Sequence, residues 1–186
     1  MIYILFALII VLSVFLYSSY VGVIKSRNQL DEALSGIDVQ FKKRYELLPN
    51  ILTIAQKFMT HEKAIFEEIT KLRTAVLSQN VGTKERFELE EQLHQKMGQF
   101  SVSVENYPDL KSSTPMVEAM KTYQDVEENI AAARRFYNSA LRELKNKTQI
   151  FPGSLFKAHA GDISTFAYFV ASEEDKTPVN ASDYLK

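Results

Sequence analysis

The stretch that decides the fold is residues 28–52, NQLDEALSGIDVQFKKRYELLPNIL, which follows an uncharged apolar segment. Its apolar residues recur every three or four positions, with one gap of seven, and the pattern continues past it: Leu30, Leu34, Ile37, Phe41, Leu48, Leu52, Ala55 and Met59. This spacing puts the apolar side chains on one face of a helix and the charged residues between them on the other. The stretch therefore predicts the first helix of a helical bundle.

Two residues disturb this pattern. The gap of seven falls at Arg44, and Pro49 lies inside the apolar repeat. Proline has no N–H to donate to the carbonyl of Tyr45, and it disfavours helical geometry at the residue before it. We therefore predict that the first helix breaks at Pro49 and that a second helix covers residues 50–78.

The segment before this stretch has the properties of a membrane anchor. Residues 1–24 contain no charged side chain, and about 20 apolar residues suffice to cross a bilayer. A cleaved signal peptide fits less well, because no basic region precedes the apolar run and no small-x-small site follows it. We predict an uncleaved transmembrane anchor over residues 1–24.

Basic residues closely follow this anchor: Lys25, Arg27, Lys42, Lys43 and Arg44. Positive charges collect on the cytoplasmic side of single spans. The pattern therefore favours the bacterial cytoplasmic (inner) membrane with the larger part in the cytoplasm, and the reverse orientation is the alternative.

Loop signals divide the rest of the chain. Residues 78–82 form a loop in which Gly82 can take a positive φ, and Thr83 is placed to cap a third helix over residues 84–105. Thr114 followed by Pro115 predicts the start of the longest helix, which ends near Thr148. Residues after 156, including the acidic stretch 172–176, lack a periodic pattern and predict an irregular or flexible tail.

These elements predict an all-α protein in which an N-terminal transmembrane helix continues into an antiparallel up-and-down four-helix bundle. The alternative is three long helices, the first of them kinked at Pro49. The predicted domains are the anchor 1–24, the bundle 25–156 and the tail 157–186.

Charged residues also interrupt the apolar face of the last long helix, at Glu127 and Arg134. They can sit at the edge of the face, with their aliphatic stems covering apolar surface. Alternatively, they form a polar layer inside the bundle in which Glu127 meets Arg44 or Arg134, because an unpaired buried charge would cost several kcal/mol. Both readings stay open at this point.

No catalytic or metal-binding pattern is evident. Cys is 0 and the charges nearly balance, with Lys+Arg 22 against Asp+Glu 23, which disfavours a nucleic-acid surface. His61 and Glu62 begin a zinc-protease motif whose second histidine is missing, and Glu91 and His94 form a single Glu-x-x-His without a facing copy. We predict no enzyme activity, no cofactor, no metal and no nucleic-acid partner.

Four motifs resemble the bacterial LemA family: RNQLDEA at 27–33, IDVQFKKRYELLPN at 37–50, ENYPDLK at 105–111 and NIAAARRFYN at 129–138. The resemblance implies a single-pass membrane protein with an antiparallel four-helix bundle outside the bilayer. It implies no established biochemical activity and no catalytic residues.

We therefore expect a membrane-anchored helical scaffold or adaptor of the bacterial cell envelope, which binds protein partners or further copies of itself. The motif containing Lys43, Arg44, Tyr45, Pro49 and Asn50 is predicted to shape the far end of the bundle as a turn or docking surface. The alternative function is a small-ligand or metal sensor that uses a polar layer of Arg44, Glu127 and Arg134; its signature would be a rise in melting temperature on ligand binding.

Overall fold

A computed structural model describes residues 1–169 of the chain. Five α-helices and one 3-10 helix follow in the order α1 Ile2–Ala55, α2 Lys63–Leu77, α3 Lys84–Val104, α4 Pro108–Lys111, α5 Thr114–Gln149 and the 3-10 helix Gly153–Ala160. Residues 1–169 contain no β-strand. The predicted all-α fold is confirmed.

The four long helices alternate in direction. α1 packs lengthwise against α5, and α2 packs against α3. Both pairs are antiparallel. Ser26 meets Glu143 while Arg44 meets Glu127, and Phe66 meets Phe100 while Glu68 meets Lys96. We call the bundle end near Val23 the proximal end and the end near Met59 the distal end.

Two clusters of buried side chains form the core. The larger lies towards the distal end and takes residues from all four long helices, among them Phe41, Leu48, Ile69, Leu93, Phe100 and Ile130. The smaller lies at the proximal end, mainly between α1 and α5, and includes Val23, Leu30, Tyr137, Leu141 and Leu144. Burial of one such aliphatic side chain stabilises the fold by about 1.5–3 kcal/mol. The apolar face predicted for residues 28–52 is therefore the face that packs.

The N-terminal part of α1 makes no such contacts. Residues 1–15 are all exposed, and the first fully buried side chain of the helix is Val23. α1 is the one helix within residues 1–169 that is long and apolar enough to cross a membrane. A helix that leaves about 20 apolar residues exposed needs an apolar surrounding other than this bundle.

The predicted helix break at Pro49 is wrong. α1 passes through Pro49 and continues to Ala55, and the chain turns over residues 56–62 instead. Residues 50–55, which were assigned to the second helix, are the last residues of the first. Pro49 itself is exposed, so its ring occupies solvent rather than the core.

A contact from α2 explains how the helix tolerates this proline. Pro49 leaves the carbonyl of Tyr45 without its usual intrahelical donor. The Arg73 Nε donates a hydrogen bond to that carbonyl oxygen at 2.9 Å. An unpaired buried carbonyl costs about 1–3 kcal/mol, and this bond offsets that part of the cost of proline at this position.

The α2–α3 loop agrees with its prediction. Gly82 has a φ of 92°, which favours glycine, and a Cβ there would also lie 3.0 Å from the Leu34 side chain. The Thr83 hydroxyl accepts a hydrogen bond from the backbone N–H of Arg86 at 3.3 Å, so Thr83 caps α3. The start of α5 differs by one residue, because Ser113 and not Thr114 occupies the N-cap position.

The chain beyond α5 folds back over the proximal part of the bundle. Residues 161–169 are irregular but held in place: the Tyr137 hydroxyl donates to the carbonyl of Ala167 at 2.9 Å, and Asn138 exchanges two hydrogen bonds with the backbone of Phe169. The Phe169 ring stacks on Phe87 with a centroid distance of 3.5 Å. The predicted boundary at residue 156 falls inside the 3-10 helix and stays a prediction, and the acidic stretch 172–176 lies outside the described residues.

The role of Arg73 can be tested with a double-mutant cycle. We expect Arg73→Met to destabilise the protein by about 1–3 kcal/mol in chemical denaturation, because the carbonyl of Tyr45 loses its donor. In a Pro49→Ala background the alanine N–H supplies that donor, so the same substitution should cost much less.

Lys71→Met on the same helix is the matched control, since Lys71 is exposed. Equal costs of Arg73→Met in the two backgrounds would show that Arg73 does not compensate for Pro49.

Candidate functional site

A cluster of charged and aromatic side chains lies inside the bundle and is the candidate site. Arg44 and Tyr45 come from α1, Arg86 and Glu90 from α3, and Glu127 from α5. We call these five residues the Arg44 network. Arg44 and Glu90 are both 0% exposed, so their charges are fully removed from water.

Glu90 is the acceptor at the centre of this network. Its carboxylate receives hydrogen bonds from the Arg44 guanidinium, the Tyr45 hydroxyl and the Arg86 Nε, the last at 2.8 Å. Two of these donors lie on α1 and one on α3 itself. One buried carboxylate therefore joins the first and third helices through charge-assisted hydrogen bonds, which are stronger than neutral ones.

Arg44 extends the network to the last helix. Its Nη1 donates to the Glu127 Oε1 at 3.0 Å, while its Nη2 faces Glu90. The Phe41 ring lies under the guanidinium, 5.3 Å from Cζ to centroid, a distance at which a cation is attracted to the aromatic face. Arg44 thus connects three helices.

Arg86 connects the network to the α2–α3 loop. Its Nη1 donates to the carbonyl of Gln79 at 2.8 Å, and its Nη2 donates to the Tyr45 hydroxyl at 3.2 Å. Asp38 lies 3.6 Å from the same Nη2. A single guanidinium therefore fixes where α3 begins relative to α1.

The charges of the network balance, with two arginines against two carboxylates. Burial by itself lowers the pKa of Arg44, but the charges of Glu90 and Glu127 outweigh it and raise that pKa above its usual value. Burial followed by the charge of Glu90 raises the pKa of Tyr45. Arg44 therefore stays a cation and Tyr45 stays a hydrogen-bond donor at any physiological pH.

The network reaches solvent at His94. Its Nδ1 lies 3.2 Å from the Glu127 Oε2, and its side chain is 50% exposed. The hydrogen bond to Glu127 raises the pKa of His94 in spite of partial burial. Burial would raise the pKa of Glu127, but His94 and Arg44 together lower it to about 2. Glu127 is thus ionised and shared between a buried arginine and a surface histidine.

The structure brings two of the three predicted polar-layer residues together, Arg44 and Glu127. Arg134 is placed elsewhere: its Nη1 lies 3.6 Å from Glu91 and its Cζ lies 5.1 Å from the centroid of the Phe169 ring. Arg134 therefore borders the network without pairing with Glu127.

Sequence reasoning missed Glu90 and Arg86. The apolar residues of α3 include Leu89 and Leu93, yet Glu90 is fully buried and Leu89 only half-buried. Glu90 lies three residues before Leu93, and Leu89 lies four before it. Both spacings put a residue on the same helix face as Leu93, so periodicity alone allows either Glu90 or Leu89 to face the core. The usable signal was the Arg86–Glu90 spacing of four, which places an ion pair on one face of the helix.

The predicted turn motif does not form the turn. All five of its residues lie within α1, where Lys43, Pro49 and Asn50 are exposed while Arg44 and Tyr45 are buried. The turn at the distal end is made by residues 56–62. The motif instead supplies Arg44 and Tyr45, the two α1 residues of the network. It also supplies Pro49, which leaves the carbonyl of Tyr45 free to accept the hydrogen bond from Arg73.

The network offers ion pairing rather than chemistry. Its carboxylates are each already bonded to two or more donors, and no group of three or more His, Cys, Asp or Glu side chains capable of holding a metal ion occurs within the part of the chain that the structure describes. What the arrangement does physically is fix the register of three helices, because each charge has a partner only in this alignment.

Glu90→Gln tests the importance of the central carboxylate. We expect it to lower the free energy of unfolding by about 3 kcal/mol or more, because two buried guanidinium groups then lose their shared counter-charge. The measurement is chemical denaturation followed by circular dichroism.

Glu88→Gln is the matched control, since that carboxylate is 59% exposed and should change stability by less than about 0.5 kcal/mol. Equal effects of the two substitutions would contradict the central role of Glu90.

Comparisons with known proteins identify the family of the chain. The sequence profile of the LemA family matches residues 33–182, a range that includes α2, α3, α5 and every residue of the Arg44 network. Protein LemA of Metamycoplasma hominis is 26% identical over 171 residues, which cover 90% of this chain and 78% of the relative. The chain belongs to the LemA family.

Proposed function

We propose that this protein is a membrane-anchored helical scaffold or adaptor of the bacterial cell envelope, without catalytic activity, whose bundle binds protein partners or further copies of the chain. The observation that carries the proposal is α1, a single helix of 54 residues that begins as an exposed apolar segment and ends in the distal core. Anchor and bundle share one uninterrupted element.

Because α1 is continuous, it joins the anchor to the bundle as one stiff helix. At 1.5 Å per residue the helix is roughly 80 Å long, of which roughly 50 Å lies beyond the apolar segment. With no loop between the two parts, the bundle takes the direction of the anchor. The distal end would thus be presented at a defined height above the bilayer, which suits a spacer or adaptor.

The charges inside the bundle support a structural role for its interior. Arg44 bonds to Glu90 and Glu127, and Arg86 bonds to Glu90, so these groups are occupied by one another. A small-ligand or metal sensor built on Arg44, Glu127 and Arg134 would have to displace existing ion pairs. The contacts therefore favour the scaffold over the sensor.

The outer surface of the distal half offers apolar side chains for binding. Val102 on α3 is 70% exposed and Val117 on α5 is 52% exposed. The buried centre of a protein interface is more apolar than its polar rim. These two positions are the natural sites to probe for a partner.

The scaffold proposal is tested by photo-crosslinking in membranes. A photoreactive amino acid at Val102 or Val117 should give one recurrent adduct, either at twice the mass of the chain or with one defined protein. Thr122, which is exposed and lies about 140° round α5 from Val117, is the control position and should give weaker adducts. A protein that stays monomeric in gentle detergent and yields no recurrent adduct would contradict the proposal.

For orientation, we propose the inner membrane with the bundle in the cytoplasm, on the basis of the basic residues that follow the anchor. The chain contains no cysteine, so a Thr60→Cys variant carries a single thiol at the exposed distal turn. We expect an impermeant maleimide to label it only after the cells are opened. Labelling of intact spheroplasts would show the reverse orientation.

A further inference from the structure

We propose that the turn between α5 and the 3-10 helix is a second membrane contact, in which Ile150, Phe151 and Leu155 insert into the interface of the same bilayer that holds the anchor. We call these three residues the proximal tip. This inference rests on the proposed anchoring of α1 and adds a lipid-binding surface on the bundle itself.

The proximal tip is apolar and open to solvent. Ile150, Phe151 and Leu155 are 65%, 69% and 62% exposed. They lie within six residues of one another, on a turn at the end of the bundle. Large apolar side chains grouped in this way mark a surface that is covered by a partner or a membrane.

The level of the tip along α1 identifies the bilayer as that partner. A cavity of about 310 Å³ is lined by Ser18, Ser19 and Gly22 of α1 on one side and by Ile150 and Phe151 on the other. A hydrocarbon core about 30 Å thick takes about 20 helical residues. Lys25 begins the charged part of α1 and charged side chains avoid the hydrocarbon core, so the core ends before it, near Gly22 and at the height of the tip.

The tip is held at this height by packing against α1. The Tyr20 ring contacts Phe156 and His159 edge-on, with centroid distances of 5.5 and 5.3 Å. The Arg27 Nη1 donates to the carbonyl of Ala160 at 3.1 Å. The 3-10 helix is thus fixed to the segment of α1 that leaves the membrane, so the tip and the anchor move as one body.

Gly153 lets the turn approach the end of α5. A Cβ at this position would lie 2.0 Å from the carbonyl oxygen of Lys147, so a larger residue would push the turn away. Lys147 lines the same cavity, and its amine donates to Ser26 and to Glu143 at 2.8 Å each. Both partners lie on the side of the tip away from the anchor, so this charge is paired away from the three uncharged side chains of the tip.

Tryptophan fluorescence in vesicles can test the contact, because the chain has no native tryptophan. The full chain carrying Phe151→Trp is reconstituted into phosphatidylcholine vesicles whose acyl chains are brominated near the headgroup. We expect a blue-shifted emission and a loss of fluorescence relative to unbrominated vesicles. Leu155→Trp gives an independent reading if the first variant does not fold, as judged by circular dichroism.

Two further variants separate the possible failures. Ile10→Trp lies in the middle of the anchor and should be quenched best by lipids brominated near the chain ends. Val117→Trp lies at the distal end, roughly 50 Å from the tip along α5, and should not be quenched. If Ile10→Trp is quenched while both tip variants behave like Val117→Trp, the proximal tip does not touch the bilayer. If Ile10→Trp is not quenched either, the anchor proposal fails and this inference fails with it.

Discussion

The interaction on which the bundle depends is the pairing of the Glu90 carboxylate with the guanidinium groups of Arg44 and Arg86. Each of these side chains is at most 3% exposed, so none can find water as a substitute partner. Breaking one pair would leave an uncompensated charge in a low-dielectric core, which costs several kcal/mol. The hydrophobic effect is non-directional, whereas this pairing has a partner for every charge in only one alignment.

The same requirement explains the course of α1. The helix carries Arg44 and Tyr45 into the network and meets Pro49 one turn later. Because Arg73 supplies a donor for the carbonyl that the proline vacates, the helix continues for another turn and contributes Ile51, Leu52 and Ala55 to the distal core. The contact from Arg73 thus allows a motif that looks like a helix end to lie inside α1.

The proposed role depends on two properties of the bundle, its buried charges and the uninterrupted course of α1. A register fixed by buried charges and a helix without a hinge make the distal surface rigid with respect to the anchor. The 3-10 helix, packed against Tyr20 and Arg27, adds a second connection close to the anchor. This build fits the proposed scaffold, in which a surface would be held at a set distance and direction from a bilayer.

The sequence by itself determined the all-α class, the apolar anchor segment, the Gly82–Thr83 start of α3 and the burial of Leu30, Ile37, Phe41 and Leu48. These features depend on residues within one or two helical turns, where periodicity and capping rules apply. It did not determine that α1 passes Pro49, that Glu90 rather than Leu89 faces the core, or that residues 161–169 pack on Tyr137 and Phe87. Each of those outcomes depends on a partner far away in the chain. Arg73 is 28 residues from Tyr45, and Arg44 is 46 residues from Glu90. Only the tertiary structure brings such partners together, because local propensity contains no information about which distant donor will satisfy a buried acceptor.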